Sequence, residues 1–131
     1  MGTAALVVGA PAFAFPSARL IYVRRQGAEQ CPAEMELRLS VAHRLGYDPS
    51  NTGSRRTIVA FVERSDEGLT ARMELVNEEG VSQGERRLEA PADGCADLIR
   101  ALALSMSIAI DPERTESASS APPLVFAVPA A

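Results

Sequence analysis

Residues 57–90, TIVAFVERSDEGLTARMELVNEEGVSQGERRLEA, decide the fold of this chain, because they predict three consecutive β-strands joined by two tight turns. In the middle strand, residues 69–76, apolar side chains alternate strictly with polar ones up to the last pair. Such alternation is typical of a sheet that is buried on one face and solvated on the other. The last strand, residues 81–90, is polar and contains Gly84, so we expect an edge strand or a bulge.

One further strand and two helices flank this meander in the sequence. Residues 18–25 are rich in β-forming residues and predict a strand. The first helix is predicted to begin at Cys31, since Pro32 suits the first helical position, and to end at Gly46, which favours the left-handed conformation of a C-cap. The second helix is predicted over residues 95–110.

The two helices differ in their predicted apolar surface. The first shows one broad apolar stripe, formed by Met35, Leu37, Leu39, Val41, Ala42 and Leu45. The second is apolar around most of its circumference, which predicts burial on most sides. It leaves only a narrow polar line, formed by Asp97, Arg100, Ser107 and Asp111.

The order β-α-β-β-β-α predicts an α+β fold, a two-layer sandwich of a four-stranded mixed sheet with two helices on one face. The strand order stays open, since strand one can pair with strand two or lie beyond strand four. We expect a single domain over residues 18–112. Residues 113–131, rich in Pro, Ala and Ser, read as a linker or tail.

Residues 1–17 carry no charge and resemble a secretory signal, with a small-x-small triplet from Ala12 to Ala14. We expect cleavage after or close to Ala14, although no basic residue precedes the apolar run. The other interpretation, an apolar first strand, is disfavoured by Pro11 and Pro16, because proline fits poorly inside a strand.

Composition excludes several classes of partner. The net charge of −4 and the pI of about 5.0 give no electrostatic footprint for nucleic acid. Aromatic residues make up only 5% and tryptophan is absent, so a surface that stacks on sugars or bases has little to be built from. All 13 basic residues are arginine, which is typical of a GC-rich genome.

The two cysteines are the most informative residues in the sequence. In an exported protein an even cysteine count predicts a disulfide, here between Cys31 and Cys95. The predicted topology places the starts of both helices, and hence both cysteines, at the same edge of the sheet. Two alternatives remain: Cys95 as a reactive or redox thiol at a helix N-terminus, and two buried free thiols.

No motif predicts a catalytic, cofactor or metal site. The single histidine, His43, falls in the last turn of the first helix, where an exposed side chain suits the dipole. A zinc site with the cysteines matches no known spacing, and a catalytic dyad with Asp48 is the alternative to the exposed, dipole-facing histidine. Phosphate-binding glycine loops, G-x-S-x-G and H-E-x-x-H are absent from the sequence.

Three segments together resemble a recurring, uncharacterised domain of exported proteins from GC-rich Gram-negative bacteria. They are CPAEMELRLSVAHRLGYDP at residues 31–49, the meander, and GCADLIRALALSMSIAIDPE at residues 94–113. The resemblance rests on the Cys-Pro helix ending in R-L-G-Y-D-P and on the Cys helix ending in I-A-I-D-P. It implies a location in the cell envelope, and often a Pro-rich linker to a further region, but no activity.

We therefore expect a non-catalytic docking or scaffold module, periplasmic or secreted and peripheral to a membrane at most. Its expected partner is another protein or a missing C-terminal region. The expected partner surface lies on the second helix, at Leu102, Leu104, Met106 and Ile108. If these residues are all buried, the edge at strand four becomes the alternative. The competing class is a thiol-dependent enzyme or redox protein that uses Cys95 and Cys31.

Overall fold

The computed structural model describes residues 15–114; residues 1–14 of the predicted signal-like segment and nearly all of the predicted tail lie outside this range. The elements follow the predicted order β-α-β-β-β-α, which confirms the α+β class. Their bounds are β1 Arg19–Arg24, α1 Glu34–Leu45, β2 Thr57–Ser65, β3 Gly68–Val76, β4 Ser82–Ala90 and α2 Cys95–Ile110. A further helical turn begins at Pro112.

The four strands form one mixed sheet in the order β1-β2-β3-β4. β1 pairs in parallel with β2, and the two hairpins β2-β3 and β3-β4 are antiparallel. This settles the strand order that the sequence left open. β4 is an edge strand, as predicted, and it carries a bulge where Leu75 pairs with Gly84 but Val76 pairs with Ser82.

The core lies between one face of the sheet and both helices. β2 contributes Ile58, Ala60 and Val62 to this face, and β3 contributes alternate residues beginning at Leu69. The helices complete the core with two rows of side chains, of which Leu37 and Leu102 are fully buried. Because α1 and α2 cover the same face, the opposite face of the sheet has no covering layer within residues 15–114.

Helix α1 differs from its prediction at its start and on its outer face. It begins at Glu34 rather than Cys31, because Ala33 is extended and the carbonyl of Pro32 accepts a hydrogen bond of 2.9 Å from the Tyr22 hydroxyl instead of one from the helix. Its predicted broad stripe is confirmed for Leu37, Val41 and Leu45, which are buried, but is too wide. Met35 and Leu39 are 62% and 61% exposed, since the sheet and α2 cover one side of the helix only.

Helix α2 is buried on most sides, as predicted, but its polar line is not where we expected it. Asp97 and Arg100 are exposed, whereas Ser107 and Asp111 are buried. The Ser107 hydroxyl donates to the carbonyl of Ala103, four residues earlier, at 2.7 Å. That bond lets a polar side chain enter the core without an unsatisfied donor.

The R-L-G-Y-D-P and I-A-I-D-P segments meet at one end of the domain. The Tyr47 hydroxyl lies 2.8 Å from the carbonyl oxygen of Pro16 and 3.2 Å from Oδ2 of Asp111. Beside it, the Arg56 guanidinium donates to the carbonyl of Ile110 at 2.9 Å, so a positive charge covers the negative end of α2. Both motifs therefore have a structural role, which is to join the end of α1 to the end of α2.

We expect Tyr47→Phe to remove an alkaline component of stability. Partial burial and the nearby Asp111 carboxylate raise the pKa of Tyr47 to about 12. The native state thus holds the phenol proton more tightly than the unfolded state, so this stabilisation is complete below pH 10 and is lost as pH rises through about 12. Between pH 8 and pH 11, the free energy of unfolding measured with urea should fall more for the wild type than for the variant. Parallel losses would contradict the assignment.

Candidate functional site

The two cysteines form a disulfide, as the sequence predicted. Cys31 and Cys95 are joined with their Cα atoms 5.4 Å apart, across a sequence separation of 64 residues. Cys95 is the first residue of α2, and Cys31 lies three residues before α1, so the bond ties the two helix starts together. A persistent disulfide fits a protein that folds outside the cytoplasm.

The bond also decides the state of the thiols. The chain has two cysteines and both are bonded, so the structure holds no free thiol for a nucleophile. Cys31 is 2% exposed, and its carbonyl accepts a hydrogen bond of 2.9 Å from the Arg24 guanidinium. The disulfide therefore belongs to a hydrogen-bonded, structural part of the domain.

The other residue that the sequence analysis considered for catalysis or metal binding is His43. His43 is exposed in the last turn of α1, where the sequence placed it. In residues 15–114 there is no group of three or more His, Cys, Asp or Glu side chains that could hold a metal ion. No helix in the same range is long and apolar enough to cross a bilayer.

The predicted partner surface on α2 divides into two rows. Leu102 and Met106 are fully buried against the sheet and α1, so they are core residues, and their placement on a partner surface is wrong. Leu104 and Ile108, on the opposite side of the helix, are 41% and 43% exposed. These two exposed residues make a small apolar surface on the helix.

A larger apolar surface, which the sequence analysis missed, lies on the open face of the sheet. We call it the open-face patch; it consists of Ile21, Val23, Val59 and Phe61. The register pairs Ile21 with Val59 and Val23 with Phe61, so the four side chains form a square across β1 and β2. The two β1 members are 44% and 47% exposed, and the two β2 members are half-buried.

The signal for this patch was present in the sequence. In β1, RLIYVR, apolar side chains point to both faces, because Leu20 and Tyr22 turn towards the helices while Ile21 and Val23 turn away. A strand in a two-layer fold needs only one apolar face. The second apolar face of β1 was visible in the sequence, but its neighbours Val59 and Phe61 could not be assigned to it while the strand order stayed open.

Charged side chains surround the open-face patch. The Arg25 guanidinium stacks over the Phe61 ring, 3.8 Å from its centroid, and lies 3.7 Å from the Glu63 carboxylate. Arg72 of β3 pairs with Phe61 in the register, on the side away from β1. Its buried Nε has no hydrogen-bond partner in the described part of the chain. An apolar centre with a polar, charged rim is the usual anatomy of a protein-binding surface.

Comparison with known proteins assigns no family. No family model matches the chain, and no curated protein matches it. Two chains among the solved structures are similar, and one is TolB from Acinetobacter baumannii, with a TM-score of 0.44 and 13% identity. That match covers 73% of this chain but only 28% of the TolB chain. At this TM-score the likeness assigns neither a family nor a function.

Proposed function

We propose that this domain is a non-catalytic docking module of an exported protein, periplasmic or secreted, and that it binds another protein through the open-face patch. The observation that carries the proposal is the uncovered square of Ile21, Val23, Val59 and Phe61 on a sheet whose other face packs against both helices. Contiguous exposed apolar surface with a polar rim marks interaction sites on soluble domains.

Three further observations support this proposal. Both cysteines are used in a structural bond, which leaves no free thiol for the thiol-dependent enzyme that was the competing class. The disulfide also favours a location outside the cytoplasm. The resemblance of the two Asp-Pro segments to exported envelope domains, which we propose as the family, agrees with that location.

A photo-crosslinking residue at position 21 tests the proposal in the organism that makes the protein. We expect one protein adduct, and Val23→Glu should reduce its yield at least tenfold, because a buried carboxylate at an apolar interface is costly. Val81→Glu is the matched control, since Val81 is 57% exposed but lies in the β3-β4 turn, and its adduct yield should not change.

Two outcomes of this experiment would contradict the proposal. The first is an equal loss of adduct in Val23→Glu and Val81→Glu, which would mean that the patch is not the contact. The second is an adduct with twice the mass of the chain, which would assign the patch to self-association. Thermal unfolding of both variants by circular dichroism checks that each still folds.

A further inference from the structure

The two edges of the sheet differ in how well they are protected against strand addition. β4, SQGERRLEA, carries charged side chains at Glu85, Arg86, Arg87 and Glu89 and also contains a bulge. Charges and bulges are the usual devices that stop an edge strand from pairing with another chain. The centre of β1, from Leu20 to Val23, has neither. The structure therefore leaves β1, and not the β4 edge that the sequence offered as an alternative, open to pairing.

The hydrogen bonds of β1 identify which backbone groups face outward. The N–H of Arg19 donates to the carbonyl of Arg56, and the N–H of Arg25 donates to the carbonyl of Val62, both at 2.8 Å. Odd-numbered residues of β1 thus bond to β2. Because successive residues of a strand alternate, the N–H and C=O groups of Leu20, Tyr22 and Arg24 point away from β2. None of them has a backbone partner in residues 15–114.

The chain itself already begins a fifth strand beside this edge. The N–H of Ala18 donates to the carbonyl of Pro49 at 3.0 Å, and the N–H of Asn51 donates to the carbonyl of Ala18 at 3.1 Å. These bonds form a parallel bridge between Ala18 and Ser50, after which the loop leaves the sheet. A groove continues from there along the first residues of β1, Arg19 to Ile21, and Glu34 and Arg38 of α1 also line it.

We infer that this groove accepts an extended segment of another protein as an added strand on β1, with acidic residues at both ends of the segment. The inference rests on the proposed function and specifies the form of the partner. An added strand would satisfy the outward groups of Leu20, Tyr22 and Arg24, and its alternate side chains would extend the open-face patch.

The charges around the groove are the reason for expecting acidic residues at the ends of the bound segment. Arg19 and Arg38 lie at the end where β1 begins, and Arg24 and Arg25 lie at the end where it stops. The Arg24 guanidinium is bonded to carbonyl oxygens, whereas Arg25 lies 3.7 Å from the Glu63 carboxylate, and Glu34 is the acidic side chain in the groove lining. Acidic residues at the ends of the segment would therefore face arginines.

The same charges argue against two other occupants. A second copy of the chain pairing antiparallel through β1 would place Arg19 opposite the arginines at the end of the partner strand, and like charges directly opposite are destabilising. The apolar segment at residues 124–128, LVFAV, has no acidic residue to meet the arginines. Both occupants are distinguishable by experiment.

Three synthetic peptides test the inference on the full-length, 15N-labelled protein. The first is a nine-residue peptide of alternating valine and threonine with two acidic residues at each end. The second has arginine in place of the acidic residues, and the third corresponds to residues 122–129. On binding of the acidic peptide, we expect the amides of Leu20, Tyr22 and Arg24 to gain at least tenfold protection from hydrogen exchange. The amides of Ile21 and Val23, already bonded to β2, should gain little.

The charge dependence is tested with one variant and one matched control. Arg19→Glu should weaken binding of the acidic peptide about fivefold or more, whereas Arg100→Glu, on the outer face of α2, should not. The inference is overturned if no peptide protects β1, if the arginine peptide or the 122–129 peptide binds as tightly as the acidic one, or if protection appears on β4. If the crosslink at position 21 persists but none of the peptides binds to β1, the proposed docking function is retained and the inference of strand addition is rejected.

Discussion

Replacing Cys31 and Cys95 together with serine lowers the free energy of unfolding by about 4 kcal/mol. The disulfide closes a loop of 64 residues that contains α1 and the whole three-strand meander. Without it, the unfolded chain gains the conformational freedom of that loop, for which the chain-entropy argument gives about 4 kcal/mol. Since small domains hold about 5–15 kcal/mol in total, this is a large share of the stability of the domain.

Urea unfolding of the double variant, followed by circular dichroism, measures this loss. The wild type in excess reductant is the matched control and should lose a similar amount, because it lacks the same bond. The double replacement is preferred to single ones, which leave a free thiol able to pair between molecules. A loss of less than about 1 kcal/mol in both samples would mean that the bridge contributes little to stability.

Leu102→Ala destabilises the domain by about 2–5 kcal/mol, while Leu104→Ala costs less than about 1 kcal/mol. Leu102 is fully buried between α1 and the sheet, so its truncation leaves a cavity as well as losing apolar burial. Leu104 lies two residues further along the same helix and is 41% exposed, so solvent fills the space that its truncation leaves.

This pair separates the core row of α2 from its outer row. The two variants have the same chemical change and the same helix propensity cost, so the difference in their urea midpoints reports burial alone. Equal losses for Leu102→Ala and Leu104→Ala would show that α2 packs in another rotation, and would return Leu102 and Met106 to the candidate surface.

The elements and their order were predictable because each has a strong local pattern. The alternation in β3 placed Leu69, Ala71 and Met73 in the core, and the structure confirms them. Gly46 was predicted as a left-handed C-cap and has φ of 79°. Such features depend on residues close in sequence, which is why the sequence alone could reveal them.

The faces of the helices were harder to predict, because they depend on what covers them. Met35 and Leu39 resemble core residues by their spacing, yet no layer covers that side of α1 in the described part of the chain. Ser107 and Asp111 resemble surface residues, yet Ser107 finds a carbonyl in its own helix and Asp111 meets Tyr47. Only the tertiary arrangement supplies these partners.

The candidate site was predicted in part. The disulfide followed from the cysteine count and the position of the helix starts, and the structure confirms it. The open-face patch was missed, since it requires the register of β1 against β2, and the strand order could not be derived. Parallel pairing of β1 with β2 placed Ile21 beside Val59 and created a surface that neither strand shows alone.

The contact between Phe15 and Arg114 has a mechanical consequence. The Arg114 guanidinium lies 5.6 Å from the Phe15 ring centroid, so the described fold begins and ends at one point. In a longer chain, this folded domain would therefore add almost nothing to the end-to-end length and would project to one side of the chain. Tension along such a chain would act across the Phe15 and Arg114 ends, and the disulfide would keep the 64-residue loop from being drawn out until it was reduced.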